Sequence, residues 1–316
     1  MVTYGIEGLI KRSLEGDRLA IGRLLTIVER NPEGAGKVID MLPGDSDFHV
    51  IGVTGIAGSG KSTLLNQLIT SYVSRGERVA VVAIDPSSRF SKGALLGDRI
   101  RMQVHATNKN VFIRSVSTRG LKGGLSFAGV AMVDVFGRLG FNRVFVESIG
   151  IGQADVDIMS ISDTIVVVTV PGLGDDIQAL KAGVMEIGDV YVINKVDKAG
   201  EEANRTYEYL RFAIESGELG LRGGWVPRIV KTSAVLGEGV DRLVEVIDEH
   251  RDFIVERGLK REKDLWRRRV MVRLLAEKMI LDQLMKVEYK SGGDLYMDAL
   301  KLIKNVVDRV FQRSIQ

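Results

Sequence analysis

The residues of this chain with the clearest chemical potential form a glycine-rich stretch that ends in a lysine and two hydroxyls. It reads Gly55-Ile56-Ala57-Gly58-Ser59-Gly60-Lys61-Ser62-Thr63. The backbone N–H groups of such a turn converge on an anion, and the N-terminus of a following helix adds positive potential. Lys61 would reach the β- and γ-phosphates of a nucleoside triphosphate, and the Ser62 hydroxyl would ligate Mg²⁺. The pattern therefore predicts a phosphate-binding loop.

A second motif predicts which base is bound. Asn194-Lys195-Val196-Asp197 follows an apolar run, and Ser233-Ala234 ends another one further along the chain. The Asp197 carboxylate can accept hydrogen bonds from guanine N1–H and N2–H₂, and the Lys195 stem would lie along the base. The Ser-Ala element would offer a backbone N–H to guanine O6. Adenine would leave the carboxylate unpaired, which is costly, so the sequence predicts GTP rather than ATP.

The segment Glu147-Ser148-Ile149-Gly150 is the place where many GTPases carry Asp-x-x-Gly. Glu147 could hold a Mg²⁺-bound water, and the Gly150 N–H could meet the γ-phosphate, so this loop would sense hydrolysis. Ile151 follows the glycine, where some GTPases keep a glutamine that orients water. We therefore predict slow intrinsic hydrolysis, with another segment or a partner completing the site.

These motifs need a scaffold that brings them to one edge. Residues 1–45 and 251–316 carry apolar side chains at helical spacing. From 46 to 250 short β-rich runs alternate with helical patterns. The predicted strands are 49–54, 79–84, 110–114, 143–147, 164–170, 189–193 and 227–231.

Runs that are apolar at nearly every position are typical of parallel strands covered by helices on both faces. The sequence thus predicts an α/β P-loop GTPase domain at 46–250 with a mainly parallel sheet. It also predicts an N-terminal helical extension at 1–45 and a C-terminal helical arm at 251–316. Ligand loops are expected at the carboxyl ends of the strands.

The composition limits the classes of function. The 316-residue chain is 45% hydrophobic, has a net charge of +3 and contains no cysteine, so it has no disulfide and no thiolate metal site. No apolar run approaches the roughly 18 residues that span a bilayer, and residues 1–30 do not resemble a signal peptide. We expect a cytoplasmic protein. The basic cluster from Arg257 to Arg273 is interpreted as a solvated helix face, with no nucleic acid bound.

Further segments carry a family resemblance. They are Ala83-Ile84-Asp85-Pro86-Ser87-Ser88, Leu96-Gly97-Asp98-Arg99-Ile100-Arg101-Met102, Val146-Glu147-Ser148-Ile149-Gly150-Ile151-Gly152-Gln153 and Pro171-Gly172-Leu173-Gly174-Asp175-Asp176-Ile177-Gln178. Together with the two nucleotide motifs they resemble the MeaB/ArgK GTPases, the G-protein chaperones of methylmalonyl-CoA mutase, over nearly the whole chain.

The resemblance implies several further residue roles. Asp85, Asp98 and Glu147 would organise Mg²⁺ and its waters beside Ser62, and Arg101 would lie near the phosphates. An additional switch loop would run from Gly172 to Glu186. The switch residues Asp175, Gln178 and Lys181 would rearrange when the mutase docks.

The same resemblance implies that GTP hydrolysis gates the transfer of adenosylcobalamin from an adenosyltransferase to the mutase. It also implies the exchange of inactivated cofactor and a homodimer formed through the C-terminal arm. From the sequence alone, the apolar stripe of that arm fits packing on its own domain equally well.

Other interpretations are open from the sequence. A metal-delivery GTPase for nickel enzymes shares this core, but the chain lacks cysteine, and its His49, His105 and His250 are scattered. A transport-associated kinase or ATPase conflicts with the guanine motif. A scaffold that holds GTP without turnover is favoured by Ile151 and disfavoured by the intact phosphate-binding residues.

Overall fold

The computed structural model describes residues 5–44, 47–85, 105, 107–117, 125–148, 156, 159–172, 185–219, 223–287 and 294–314. Seven of the residues singled out in the sequence lie outside these ranges: Asp98, Arg101, Gly150, Ile151, Asp175, Gln178 and Lys181. Asp85 is described only through its place at the end of a strand.

Seven parallel strands form one sheet, as predicted, with the order β3-β2-β4-β1-β5-β6-β7. The strands are β1 His49–Gly55, β2 Val79–Asp85, β3 Val111–Ser117, β4 Arg143–Glu147, β5 Thr164–Thr169, β6 Val190–Asn194 and β7 Arg228–Thr232. Every predicted strand is present and begins within one residue of its expected position. Only β3 ends more than one residue later than predicted, at residue 117 rather than 114.

The extra length of β3 has a tertiary cause. Arg114 and Ser115 interrupt the apolar pattern on which the prediction depended. In the structure the Arg114 guanidinium donates to Glu29 Oε2 at 2.7 Å, so the polar face of this edge strand is covered by the N-terminal helices. The strand therefore continues past its apolar run because Glu29, which is distant in sequence, pairs with the polar side chain of Arg114.

Helices cover both faces of the sheet, and each face has its own apolar core. The helices are α1 Ile6–Leu14, α2 Arg18–Arg30, α3 Pro32–Met41, α4 Lys61–Ser74, α5 Phe127–Arg138, α6 Glu201–Glu215, α7 Val240–Glu256, α8 Leu259–Leu284 and α9 Leu295–Ser314. α4 and α7 lie on one face, and α1–α3, α5 and α6 on the other. No described helix is long and apolar enough to cross a membrane.

The root of the C-terminal arm is fixed to the sheet by a buried ionic cluster. Arg267 of α8 pairs with Asp163 Oδ1 at 2.6 Å and donates to the Ile161 carbonyl at 2.8 Å. Lys260 Nζ lies 3.4 Å from Asp163 Oδ2, and Lys263 Nζ lies 3.4 Å from the Ser162 carbonyl. The interpretation of the basic cluster as a solvated helix face is therefore wrong for these three cations, which face the segment that precedes β5.

Two of the histidines described above as scattered meet at Thr164. Its hydroxyl lies 2.7 Å from His49 Nε2 and 2.7 Å from His250 Nδ1. Arg143 faces His49 Nδ1 at 3.2 Å, so that nitrogen accepts and Nε2 carries the proton. The Thr164 proton then goes to His250 Nδ1, and His250 Nε2–H faces Asp189 Oδ1 at 3.6 Å. Burial lowers the pKa of both rings, so the pair is neutral and structural.

Candidate functional site

The glycine-rich turn between β1 and α4 is fixed by close backbone contacts. Gly55 has φ +131°, and a Cβ there would lie 2.0 Å from the Val168 carbonyl oxygen of β5. Gly60 has φ +91°, and a Cβ there would lie 2.4 Å from Asn194 Nδ2 of β6. Because both positions combine positive φ with no room for a side chain, only glycine fits. The turn is thereby held against the carboxyl ends of β5 and β6.

The residues around the start of α4 are arranged in a way that suits binding of an anion. Lys61 is only 8% exposed, and its ammonium donates to the carbonyls of Gly55 at 2.8 Å and Ile56 at 2.9 Å. Ala57 and Gly58 are exposed at the tip of the turn, and Thr63 is half-buried in the first helical turn. The helix N-terminus and the lysine together give the turn positive potential, which suits a phosphate group.

An acidic residue lies directly beside this turn. The Ser62 hydroxyl donates to Glu147 Oε1 at 2.8 Å, and Glu147 is 7% exposed at the end of β4. The Ser148 hydroxyl donates to Thr54 Oγ1 at 3.1 Å, which ties the end of β4 to the strand that leads into the turn. The arrangement brings a hydroxyl and a carboxylate together where a phosphate-bound cation would lie.

One buried amide joins the phosphate turn to the two base motifs. Asn194 Nδ2 donates to the Ser59 carbonyl at 2.8 Å. Its Oδ1 accepts from Thr232 Oγ1 at 3.1 Å and from the Ala234 N–H at 3.0 Å. Thus the Ala234 N–H, one of the two backbone donors of the Ser-Ala element that the sequence predicts to reach guanine O6, is paired with a side chain here.

The remaining base-motif residues are also close together. Lys195 donates to the Gly58 carbonyl at 2.7 Å, and the exposed Asp197 accepts from Ser233 Oγ at 2.7 Å. Lys195 has φ +66°, the only positive φ of a non-glycine residue in the part of the chain that the structure describes. That conformation costs on the order of 1 kcal/mol, so the surrounding contacts have to hold it in place.

The structure adds residues that the sequence did not single out. Thr54, Thr232 and Gln67 each hydrogen-bond a residue of the site. Thr232 could have been noticed, since it immediately precedes the Ser-Ala element. Gln67 carries no sequence signal, because it is an ordinary polar residue in the second turn of a helix.

A phosphate turn and a guanine-type loop at the carboxyl edge of a parallel sheet define the class of the P-loop GTPases. Comparison with known families places the chain within that class. It belongs to the MeaB family, described as "Methylmalonyl Co-A mutase-associated GTPase MeaB", whose model matches residues 21–289.

Individual relatives agree with this membership. A Pyrococcus abyssi protein described as "Putative GTPase" is 47% identical over 82% of this chain and 80% of that protein. The "Methylmalonic aciduria type A homolog, mitochondrial" of Caenorhabditis elegans is 30% identical over 85% of this chain and 71% of that protein. The chain is therefore a GTPase. Because the chain is a GTPase, it is neither the transport-associated kinase or ATPase nor the scaffold without turnover that the sequence left open.

A solved structure supports the fold. The crystal structure described as an "LAO/AO transport system kinase" superposes with a TM-score of 0.71 at 22% identity, and the match covers 100% of both chains. The α/β P-loop architecture predicted from the sequence is thus confirmed.

Proposed function

We propose that this GTPase is the chaperone of a cobalamin-dependent acyl-CoA mutase of the methylmalonyl-CoA mutase type. Its GTP cycle would gate the loading of adenosylcobalamin, delivered by an adenosyltransferase, and would protect or reactivate the mutase. The observation that carries the proposal is the match to a mutase-associated family over residues 21–289. The name of the nematode relative points in the same direction.

The geometry suggests how each end of GTP is held. The N–H groups from Gly55 to Gly60 would surround the phosphates, and Lys61 would exchange its two carbonyl partners for phosphate oxygens. Asp197 would accept hydrogen bonds from guanine N1–H and N2–H₂, while the Ser233 hydroxyl donates to its Oδ1 and fixes the carboxylate. Asn194 and Lys195 would keep the base loop against the phosphate turn. Arg101 and Asp98 remain proposed contributors near the phosphates.

The residues beside the turn fit Mg²⁺. Ser62 and Glu147 supply a hydroxyl and a carboxylate oxygen 2.8 Å apart, which are hard oxygen donors of the kind this ion prefers. We propose that Ser62 binds Mg²⁺ directly and that Glu147, Asp85 and Asp98 hold its waters. In the register of β2 and β4, Ala83 lies opposite Glu147, so Asp85 is two residues further toward the same edge. Bound Mg²⁺ neutralises charge on the β- and γ-phosphates.

Steady-state GTP hydrolysis titrated with the acyl-CoA mutase of the same organism tests the chaperone proposal. We expect the rate to rise about 100-fold or more, because one correctly placed group that stabilises the transition state is typically worth about 10²–10³ in kcat. The rise should saturate near one mutase per chaperone. The physical reason is that Ile151 cannot orient water, so a docked partner has to complete the site. An unrelated cobalamin enzyme is the control. If the rate stayed low and unchanged, the protein would still be a GTPase, but the proposal that the mutase is its client would be wrong.

We also propose that the C-terminal arm forms a homodimer. In α8 only Arg267 and Met271 are buried, and exposed apolar side chains continue from α8 into α9. They include Trp266, Val272, Ile280, Leu281, Leu300, Ile303 and Val307. Exposed apolar side chains in this number are typical of a surface that a partner covers, and a second copy of the chain would cover those of both helices.

Sedimentation velocity tests the dimer. The protein is expected to sediment at twice the chain mass, and Ile303→Asp should shift it to the monomer because a charge would be buried at the interface. Lys304→Asp, on the neighbouring exposed position of α9, is the matched control and should leave the dimer intact. A monomeric parent protein, or a dimer that withstands Ile303→Asp, would contradict the proposal.

A further inference from the structure

Gln67 connects the helix of the phosphate turn to the base loop. It lies on α4, six residues after Lys61, and its Nε2 donates to the Ala234 carbonyl at 2.9 Å across 167 residues of sequence. This is a third contact between the phosphate half and the base half of the site, in addition to those of Asn194 and Lys195. The side chain is half-buried and belongs to the same rigid helix that begins with the phosphate-binding lysine.

The loop that receives this hydrogen bond is tightly closed. Ser233 N–H donates to the Glu238 carbonyl at 3.0 Å, and Leu236 N–H donates to the Ser233 carbonyl at 3.1 Å. A Cβ on Gly239, which has φ +73°, would lie 2.1 Å from the Lys231 carbonyl oxygen. The peptides of the loop thus have little freedom, and a side chain that fixes one carbonyl fixes the direction of the next N–H.

That next N–H belongs to Val235. In a trans peptide the N–H points opposite to the C=O, so a carbonyl of Ala234 directed at Gln67 turns the Val235 N–H away from α4. The Ala234 N–H is already bonded to Asn194 Oδ1. No described residue accepts a hydrogen bond from the Val235 N–H, and Val235 is 73% exposed. Of these two adjacent donors, only the one from Val235 is available to a ligand without breaking an existing bond.

We propose that Gln67 is a positioning residue for base recognition: by holding the Ala234 carbonyl it aims the Val235 N–H at guanine O6. The inference rests on the proposed guanine site and assigns the reading of O6 within it. Gln67 itself does not touch the nucleotide. Asp197 reads the opposite edge of the base, N1–H and N2–H₂, so the two contacts can be tested separately.

Two nucleotide analogues separate these contacts. The 6-thio analogue of GDP has a poor hydrogen-bond acceptor at position 6, and IDP lacks the 2-amino group that Asp197 would read. For the parent protein we expect GDP to bind about 3- to 10-fold more tightly than 6-thio-GDP, the value of one hydrogen bond. GDP should also bind more tightly than IDP.

Gln67→Leu removes the donor and keeps the side-chain volume. We expect it to weaken GDP binding about 3- to 10-fold, because one hydrogen bond is lost. The preference for GDP over 6-thio-GDP should fall to near 1, while the preference for GDP over IDP stays unchanged. Gln67→Lys, which restores a donor, should recover part of the O6 preference. Thr70→Val, on an exposed position of the same helix whose hydroxyl bonds only its own helix, is the matched control.

The outcomes are distinguishable. A folded Gln67→Leu protein that keeps the parent preference for GDP over 6-thio-GDP overturns the proposal. Equal loss of both preferences also overturns it, because the residue would then act on the loop as a whole. If Gln67→Leu does not fold, Gln67→Met carries the same test. If the proposed guanine site itself were wrong, the parent protein would bind GDP and IDP equally well, which is a different result from either of these.

Discussion

Asp197→Asn is expected to convert the protein from a guanine-selective to a xanthine-selective enzyme. The Ser233 hydroxyl donates to Asp197 Oδ1, and in the variant it would donate to the amide oxygen in the same way. The amide –NH₂ then faces the base, where it opposes the N1–H and N2–H₂ donors of guanine and complements O2 of xanthine. Sites that read a base by hydrogen bonds discriminate by as much as about 10⁴-fold, so we expect a change of at least about 10²-fold.

Comparison of kcat/KM for GTP, XTP and ITP measures this change. Asp241→Asn, an exposed acidic residue in the first turn of α7, is the matched control and should leave all three ratios unchanged. If Asp197→Asn kept the guanine preference of the parent protein, the assignment of Asp197 to the base would be wrong. A uniform loss for all three nucleotides would point instead to damage of the loop.

Arg267→Met is expected to lower the free energy of unfolding by about 3–5 kcal/mol, the cost of leaving a buried charge without its partner. Asp163 is fully buried, and without Arg267 its nearest cation is Lys260 at 3.4 Å. Arg273→Met is the matched control on the same helix. Arg273 is 78% exposed in its pair with Glu277, so its loss should cost about 0–1 kcal/mol. Urea unfolding measures both.

The loss of stability in Arg267→Met is expected to depend on pH in a defined direction. Burial would raise the pKa of Asp163, but Arg267 and Lys260 lower it to about 2. A carboxyl group has a pKa of about 3.9 in the unfolded chain, so the native pair stabilises fully above that value and loses its effect as the pH falls toward 2. In Arg267→Met burial dominates and raises this pKa. The stability gap between parent and variant should therefore be widest at pH 7 and should narrow near pH 4; a gap that is independent of pH would contradict the assignment.

The parts of the site that the sequence predicted are local in sequence. The phosphate turn and the Asn-Lys-x-Asp motif are contiguous runs whose neighbouring strands have a strong apolar pattern, so both could be located directly. Contacts between distant residues could not be predicted. Gln67 meets Ala234 across 167 residues, and Arg267 meets Asp163 across 104. The contacts of His49 and His250 with Thr164 could likewise be seen only in the folded structure.

Other predictions remain predictions. The roles of Asp98, Arg101 and the switch residues depend on the family resemblance, since these residues lie outside the described ranges. The division of the chain at 45 and 250 likewise stays a proposal. The Ala234 N–H shows how a motif can be located correctly while the bonding of one atom depends on a neighbouring side chain, here Asn194.

The nucleotide motifs and the arm root lie at opposite ends of the same strands. β1 runs from His49 to the phosphate turn, and β5 runs from next to Asp163 to the contact with Gly55. Six residues of β5 span about 20 Å at the usual rise of a strand. GTP could therefore enter and GDP leave while the arm root stays anchored. In the proposed dimer, nucleotide exchange would then leave the anchor of each arm in place.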